Sequence, residues 1–166
     1  NRKFVVANES ICSGFALGMR ALLQRVTEAS VSLEGEVLSA IGPGLVVLVC
    51  TEKGDDEAAA DYFARKIAKM RLFADPDGKT NLSILDIGGE ALVISQFTLA
   101  ADWRKGNRPG FSAAADPETA ERLYEYLCQR LAGEGVPVKT GKFRSHMAVS
   151  LVNDGPMTIW MDGGER

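Results

Sequence analysis

The chain has 166 residues, is 46% hydrophobic and 25% charged, and carries a formal net charge of −3. That is the length and balance of one ordinary globular domain, which excludes a disordered tail, a collagen-like fibre and a disulfide miniprotein, and no stretch nears the roughly 18 apolar residues of a membrane span. The acidic balance also excludes a global electrostatic clamp on nucleic acid, while leaving room for a local basic patch.

Residues 1–18, NRKFVVANESICSGFALG, do not open with methionine, whereas Met19 opens MRALLQRV and reads as a start. Arg2 and Lys3 are the leader's only basic residues, Glu9 opposes them, and Ser13-Gly14 breaks the apolar stretch. A secretory signal needs a continuous apolar core and a mitochondrial leader needs more arginine. The expectation is an upstream or non-native leader over 1–18, a domain over 19–162 and a C-terminal tail over 163–166.

Residues 20–33 are rich in β-branched and alternating residues and predict a strand, Glu34-Gly35 a turn, and 36–41 a returning strand. Gly42-Pro43-Gly44 breaks the chain before LVVLVC, 45–50, a continuous apolar run that suits a strand buried on both faces. Asp55, Asp56 and Glu57 put negative charge where a helix begins, and Ala59, Tyr62, Phe63, Ile67 and Met70 mark one helical face. Short strands are predicted at 71–75 and 81–86, separated by the turn Pro76-Asp77-Gly78, and a strongly apolar strand at 90–100. A loop of about 16 residues without period follows, long enough to suggest function. Asp116 reads as a helix N-cap with Pro117 at the first helical position, Ala120, Leu123, Tyr124, Leu127 and Leu131 as the buried stripe, and Gly133 as the end. Residues 136–143, 147–153 and 157–161 predict three closing strands. The sum is a single α/β domain with mostly antiparallel pairing and two main helices.

Few familiar catalytic arrangements are present. The three cysteines, Cys12, Cys50 and Cys128, are scattered and odd in number, and His146 is the one histidine, so a closed Cys/His zinc site is not encoded and no cofactor is expected. The cysteine usage suits a reducing, cytosolic compartment. GxSxG, GxxxxGK[ST] and GxGxxG are all absent. His146, between two strands, is more readily a surface residue than a general base.

Three stretches stand out. Ser95-Gln96-Phe97-Thr98 puts an amide and a hydroxyl at the end of an apolar strand, where they either satisfy backbone or line a pocket. Strand alternation places Gln96 and Thr98 on one face, and Ser95, Phe97 and Leu99 on the other. Asn153-Asp154-Gly155-Pro156 reads as a turn between strands, and the isomer of the Gly155–Pro156 bond is open from sequence. Arg104, Lys105 and Arg108 in the long loop, with Lys139, Lys142 and Arg144 near the last strands, are either solvated charge or contacts for phosphate.

Together, MRALLQRV, EGEVLSAIGPGLVVLV, NLSILDIGGEALVISQFTLAAD, RKGNRPGF and VSLVNDGPMTIW occur in an order that resembles the D-aminoacyl-tRNA deacylases, over residues 19 to about 162. The pairing of SQFTL with a later NDGP is the specific part. The resemblance implies a three-layer β-β-α sandwich and a cytosolic homodimer with its active site at the subunit interface. It implies hydrolysis of the ester joining a D-amino acid, or glycine mischarged on tRNA-Ala, to the 3′ end of tRNA. It maps the catalytic segment onto Ser95, Gln96, Phe97 and Thr98, with backbone N–H groups around Gln96 and Phe97 as the oxyanion hole. It maps substrate binding and chiral selection onto Gly155, Pro156, Arg25 and Met147, with Arg25 bracing the Gly-Pro pair that reaches into the other subunit. Binding of tRNA falls to Arg104, Lys105, Arg108 and Lys142. The chain departs from the family pattern at Arg144-Ser145, where many members have Gly-Ala, and at Met157, where valine is more usual. Two rival readings stay open: a relative with relaxed chirality, and a non-catalytic RNA-binding or dimerisation module of the same fold.

Overall fold

A computed structural model of the chain describes residues 18–164, so the reading of 1–18 as a leader falls almost wholly outside the described residues. The chain forms β1 (Arg20–Leu33), β2 (Glu36–Ile41), β3 (Gly44–Cys50), α1 (Glu57–Lys69), β4 (Phe73–Ala74), β5 (Thr80–Leu82), β6 (Glu90–Ser95), a 3-10 helix (Phe97–Ala100), α2 (Pro117–Gly133), β7 (Val138–Thr140) and β8 (Ala148–Asp162). One sheet runs β2-β1-β3-β6-β7, with β8 pairing the free side of β1, and β4-β5 is a small separate hairpin. The β1 pairings with β2, β3 and β8 are antiparallel, and β3-β6 and β6-β7 are parallel.

The sheet bends because β1 changes phase twice. Ala21 and Leu23 are buried, then Val26, then Ala29 and Val31. Each break in alternation coincides with a register shift against β8, between Gln24 and Val26 and between Val26 and Glu28. A shift of one residue sends the following side chains to the other face, and such bulges increase local twist. Ala21 and Leu23 therefore join the core beneath the helices, while Val26, Ala29 and Val31 join a second core with Ile41, Val46, Leu92 and Ile94. The sheet curls around that second core until β2 meets β7. Ser39 Oγ donates to the Thr140 carbonyl at 2.6 Å and Lys139 Nζ to the Ala40 carbonyl at 2.7 Å. Two β layers enclose one core and the helices close the other, which is the expected β-β-α arrangement.

Each helix begins at a capping aspartate, Asp116 as expected and Asp56 within the expected acidic start. Asp56 accepts from the Ala59 N–H at 3.1 Å and Asp116 from the Thr119 N–H at 3.0 Å. Their apolar faces, Ala59, Phe63 and Ile67 on α1 and Leu123, Leu127 and Leu131 on α2, are fully buried, each large side chain contributing about 1.5–3 kcal/mol. The helices are tied by Asp61, which accepts from Arg130 Nε at 2.7 Å and from the Tyr126 hydroxyl at 3.1 Å. No described helix is long and apolar enough to cross a membrane.

Two predicted boundaries are corrected. The strand expected over 90–100 stops at Ser95 and continues as the 3-10 helix. The strands expected at 147–153 and 157–161 are one strand, β8, because β1 is long enough to pair both halves and absorbs the Asn153–Met157 excursion in its bulges.

Candidate active site

The parallel pairing of β6 with β3 delivers Ser95 opposite Val49, at the end of the sheet. Gln96 N–H donates to the Val49 carbonyl at 2.7 Å, extending the ladder by one bond. The chain then tightens: Leu99 N–H donates to the Gln96 carbonyl at 3.2 Å and Ala101 N–H to the Thr98 carbonyl at 3.1 Å. This turn replaces strand alternation. It brings Gln96 Nε2 within 2.6 Å of Thr98 Oγ1, so the two side chains do meet, yet they face different cavities. Ser95, Gln96 and Phe97 line one of about 700 Å³. Thr98 lines a second of about 580 Å³.

The turn also decides which backbone N–H groups are engaged within the protein. Gln96 N–H is consumed by Val49. Phe97 and Thr98 stand at the start of the 3-10 helix, where N–H groups have no partner within the helix, and neither donates to a described protein acceptor. The Phe97 carbonyl accepts from Cys50 Sγ at 3.5 Å, which anchors the turn to β3.

The larger cavity has an apolar and aromatic lining assembled from three segments. Phe97 meets Phe111 edge-to-face, with centroids 5.1 Å apart. Ala114, Ala115 and the start of α2 supply small side chains, and the 143–147 segment supplies Phe143, Arg144, Ser145, His146 and Met147. Phe111, Ala114 and Phe143 were not singled out from sequence, since apolar residues scattered over 32 positions carry no shared signal before the chain folds. Met147 lines the same cavity. Its sulfur accepts from the Lys142 N–H at 3.2 Å and sits so close to Gly141 that an added Cβ would approach it to 2.6 Å.

Arg25, Gly155 and Pro156 form a second cluster. The Gly155–Pro156 bond is cis. Arg25 Nε donates to the Asp154 carbonyl at 2.9 Å and lies 3.1 Å from the Asp154 carboxylate, while its Nη1 donates to the Leu72 carbonyl at 2.6 Å. Asn153 Nδ2 donates to the Arg25 carbonyl at 2.9 Å, and Thr158 bonds Gln24. The Gly-Pro segment is thus strapped to β1 on both sides. It does not reach the Gln96 segment of its own chain. Three strand spacings and about four residues of strand separate them, roughly 20 Å.

The basic residues divide. Lys139 is committed to Glu90 at 3.3 Å and to the sheet closure. Arg104 is 82% exposed in its side chain and 3.9 Å from Asp102. Lys105 and Arg108 are exposed in a loop pinched shut by reciprocal hydrogen bonds between Asp102 and Gly110, at 2.8 and 2.9 Å. Lys142 and Arg144 are exposed beside the larger cavity.

Residues 22–162 match the family profile described as D-Tyr-tRNA(Tyr) deacylase. The chain belongs to this deacylase family. Curated relatives named D-aminoacyl-tRNA deacylase include one from Ruegeria pomeroyi, 62% identical over 87% of this chain and 99% of its own. A second, from Dinoroseobacter shibae, is 61% identical over 87% of this chain and 100% of its own. Among solved structures, one described as c-Myc DNA Unwinding Element Binding Protein is 39% identical, with a TM-score of 0.81, and covers 86% of this chain and 97% of that one. Another, a probable eukaryotic D-amino acid tRNA deacylase, has a TM-score of 0.75 over 87% of this chain and 98% of that one; at 16% identity it speaks for the fold. As a member of the deacylase family the chain is a hydrolase acting on an ester bond.

Proposed function

We propose that the chain hydrolyses the ester joining a D-amino acid to the 3′ end of tRNA, releasing free D-amino acid and tRNA in chiral proofreading of translation. Glycine mischarged on tRNA-Ala is a second substrate, the setting is cytoplasmic, and the working form is a homodimer. The supporting observation is the Gln96–Thr98 pair at the cavity edge, bonded at 2.6 Å. Thr98 Oγ1 bonds an amide and no histidine or carboxylate among the described residues, so no base activates it as a nucleophile.

An aminoacyl ester is already activated, and modest assistance suffices. Water adds to the carbonyl carbon, and negative charge develops on the carbonyl oxygen. Phe97 and Thr98 N–H groups receive it, each such donor being commonly worth about 3 kcal/mol. The 2′-hydroxyl of the terminal adenosine assists the water, and the ribose oxygen departs with a proton. The adenosine occupies the larger cavity, between Phe97, Phe111 and Phe143. Met147 forms its floor and Ser95 its polar edge.

The separation of roughly 20 Å along the sheet supports the homodimer. A second copy must supply its Arg25-braced Gly155 and Pro156 carbonyls to hold the substrate ammonium and leave no space for an L side chain, a rejection by clash rather than by affinity. β8 supplies the surface for that copy. It is a fifteen-residue strand that pairs β1 alone among the described residues, and Val149, Leu151 and Val152 are exposed on it, features that mark association surfaces. Glycine lacks the side chain that would clash and passes. Arg104, Lys105, Arg108 and Lys142 contact tRNA phosphates. So few contacts give a shallow salt dependence.

The experiment is incubation with D-Tyr-tRNA and L-Tyr-tRNA. Release from the D form alone is expected, and Thr98→Val retains turnover. No release from the D form overturns the reading and leaves a nucleic-acid-binding module. Loss of turnover in Thr98→Val with intact binding restores threonine as nucleophile.

A further inference from the structure

Among the described residues only two other than glycine have a left-handed backbone, Glu34 at φ 51° and Arg144 at φ 56°. Glu34 sits in the two-residue turn joining β1 and β2, a connection that calls for positive φ. Arg144 has no hairpin to explain it. It lies in a tight turn closed by Ser145 N–H donating to the Lys142 carbonyl at 3.3 Å, where glycine would carry no steric cost. Such an outlier, kept where the surroundings dictate it, is a reason to look for function.

What surrounds Arg144 gives its charge a direction. It stands in the wall of the larger cavity. Among the described residues no acidic side chain lines that cavity, and the 141–147 segment contains none. Neither Arg144 nor Lys142 forms a salt bridge among the described residues, as is true of several other surface cations; what distinguishes Arg144 is its place in the cavity wall. The turn is braced beneath by the Lys142 N–H to Met147 sulfur contact and by the close packing of Met147 on Gly141. A permanent cation without a counter-ion thus marks the mouth of an apolar, aromatic cavity.

We propose that Arg144 binds the phosphodiester on the 5′ side of the terminal adenosine, and so sets how firmly the single-stranded 3′ end of the RNA is seated. This rests on the proposed function in one respect, that a nucleoside occupies the cavity. With the nucleoside inside, the nearest anion of the substrate is that phosphate. A guanidinium presents a planar fork that matches it. The chain accepts a left-handed arginine at this position because the charge is needed there.

The test compares wild type with Arg144→Gly, Arg144→Ala and Arg144→Lys over a salt series, measuring deacylation of D-Tyr-tRNA and, separately, binding of the same tRNA uncharged. Arg144→Gly and Arg144→Ala should weaken binding about tenfold at low salt, with the loss falling on KM rather than kcat. Both should flatten the slope of log affinity against log salt by about 0.7, one phosphate's worth on a single strand. Arg144→Lys should keep the slope. Arg144→Gly should melt several degrees above Arg144→Ala, because it removes the charge and the backbone strain together. An unchanged slope in Arg144→Gly overturns the proposal, as does a slope in Arg144→Lys as flat as in Arg144→Ala. Should the wild type release no D-amino acid, the proposed function fails while the binding slope still decides the role of Arg144.

Discussion

Arg25 shows how much a single side chain can organise. Its guanidinium joins the Asp154 carbonyl, the Asp154 carboxylate and the Leu72 carbonyl, and so fixes the Gly155–Pro156 segment against β1. Arg25→Ala leaves those carbonyls without a donor. It should cost about 2 kcal/mol of stability and reduce the D-to-L rate ratio by tenfold or more, read from a melting curve and from paired deacylation assays. The two described thiols behave oppositely to catalytic cysteines. Burial pushes Cys50 up to about 11, with Glu52 adding to the shift, and burial pushes Cys128 up to about 12. The thiolate is the reactive form, so alkylation of native Cys50 at pH 8 should run roughly a hundredfold below that of an ordinary protein thiol and accelerate only as the pH climbs toward 11. Peptide mapping after iodoacetamide treatment, native against denatured, checks both sites. At this scale the sequence was partly legible. Gln96, Thr98, Gly155 and Pro156 are conspicuous as polar or turn residues in apolar surroundings. The loss of the Gln96 N–H to Val49 was not readable, since it depends on which strand β6 chooses as its neighbour.

Elements were legible where one pattern had one meaning. β1, β2, β3 and both helices fall where alternation, apolar runs, the acidic start Asp55-Asp56-Glu57 and the Asp116-Pro117 cap place them, because these signals act through local geometry alone. Phe97–Ala100 reads as strand from sequence because Phe-Thr-Leu-Ala continues the composition of β6, and composition does not register the Gln96 carbonyl turning back to accept from Leu99. The β8 halves read as two strands because Asn-Asp-Gly-Pro is a turn signal whatever β1 does opposite it. The β3-β6 junction carries the sharpest constraint in the sheet. A Cβ on Gly44 would lie 1.8 Å from the Glu90 carbonyl oxygen, backbone that cannot yield without parting the parallel pair. Gly44→Ala should therefore cost about 3 kcal/mol, a fall in Tm of roughly 6–12 °C, measured by calorimetry. Because this pairing sets the height of Ser95 and Gln96 above the sheet, residual folded protein should also lose activity.

At the scale of the whole molecule, the fold separates what the proposed chemistry requires together. The Gln96 segment, bonded to β3, and the Gly155–Pro156 segment, bonded to β1, lie three strand spacings and about four residues apart along one sheet. A dimer with two-fold symmetry would give each chain a share in two sites. That sharing reaches into genetics. A chain crippled by Thr98→Trp and another crippled by Gly155→Trp would each form only dead pairs with themselves. Mixed pairs would contain one site spoiled twice over and one site left wholly intact. Unfolding and refolding the two inactive proteins together should restore about a quarter of the wild-type activity when pairing is random, and two defective alleles in one cell should complement each other.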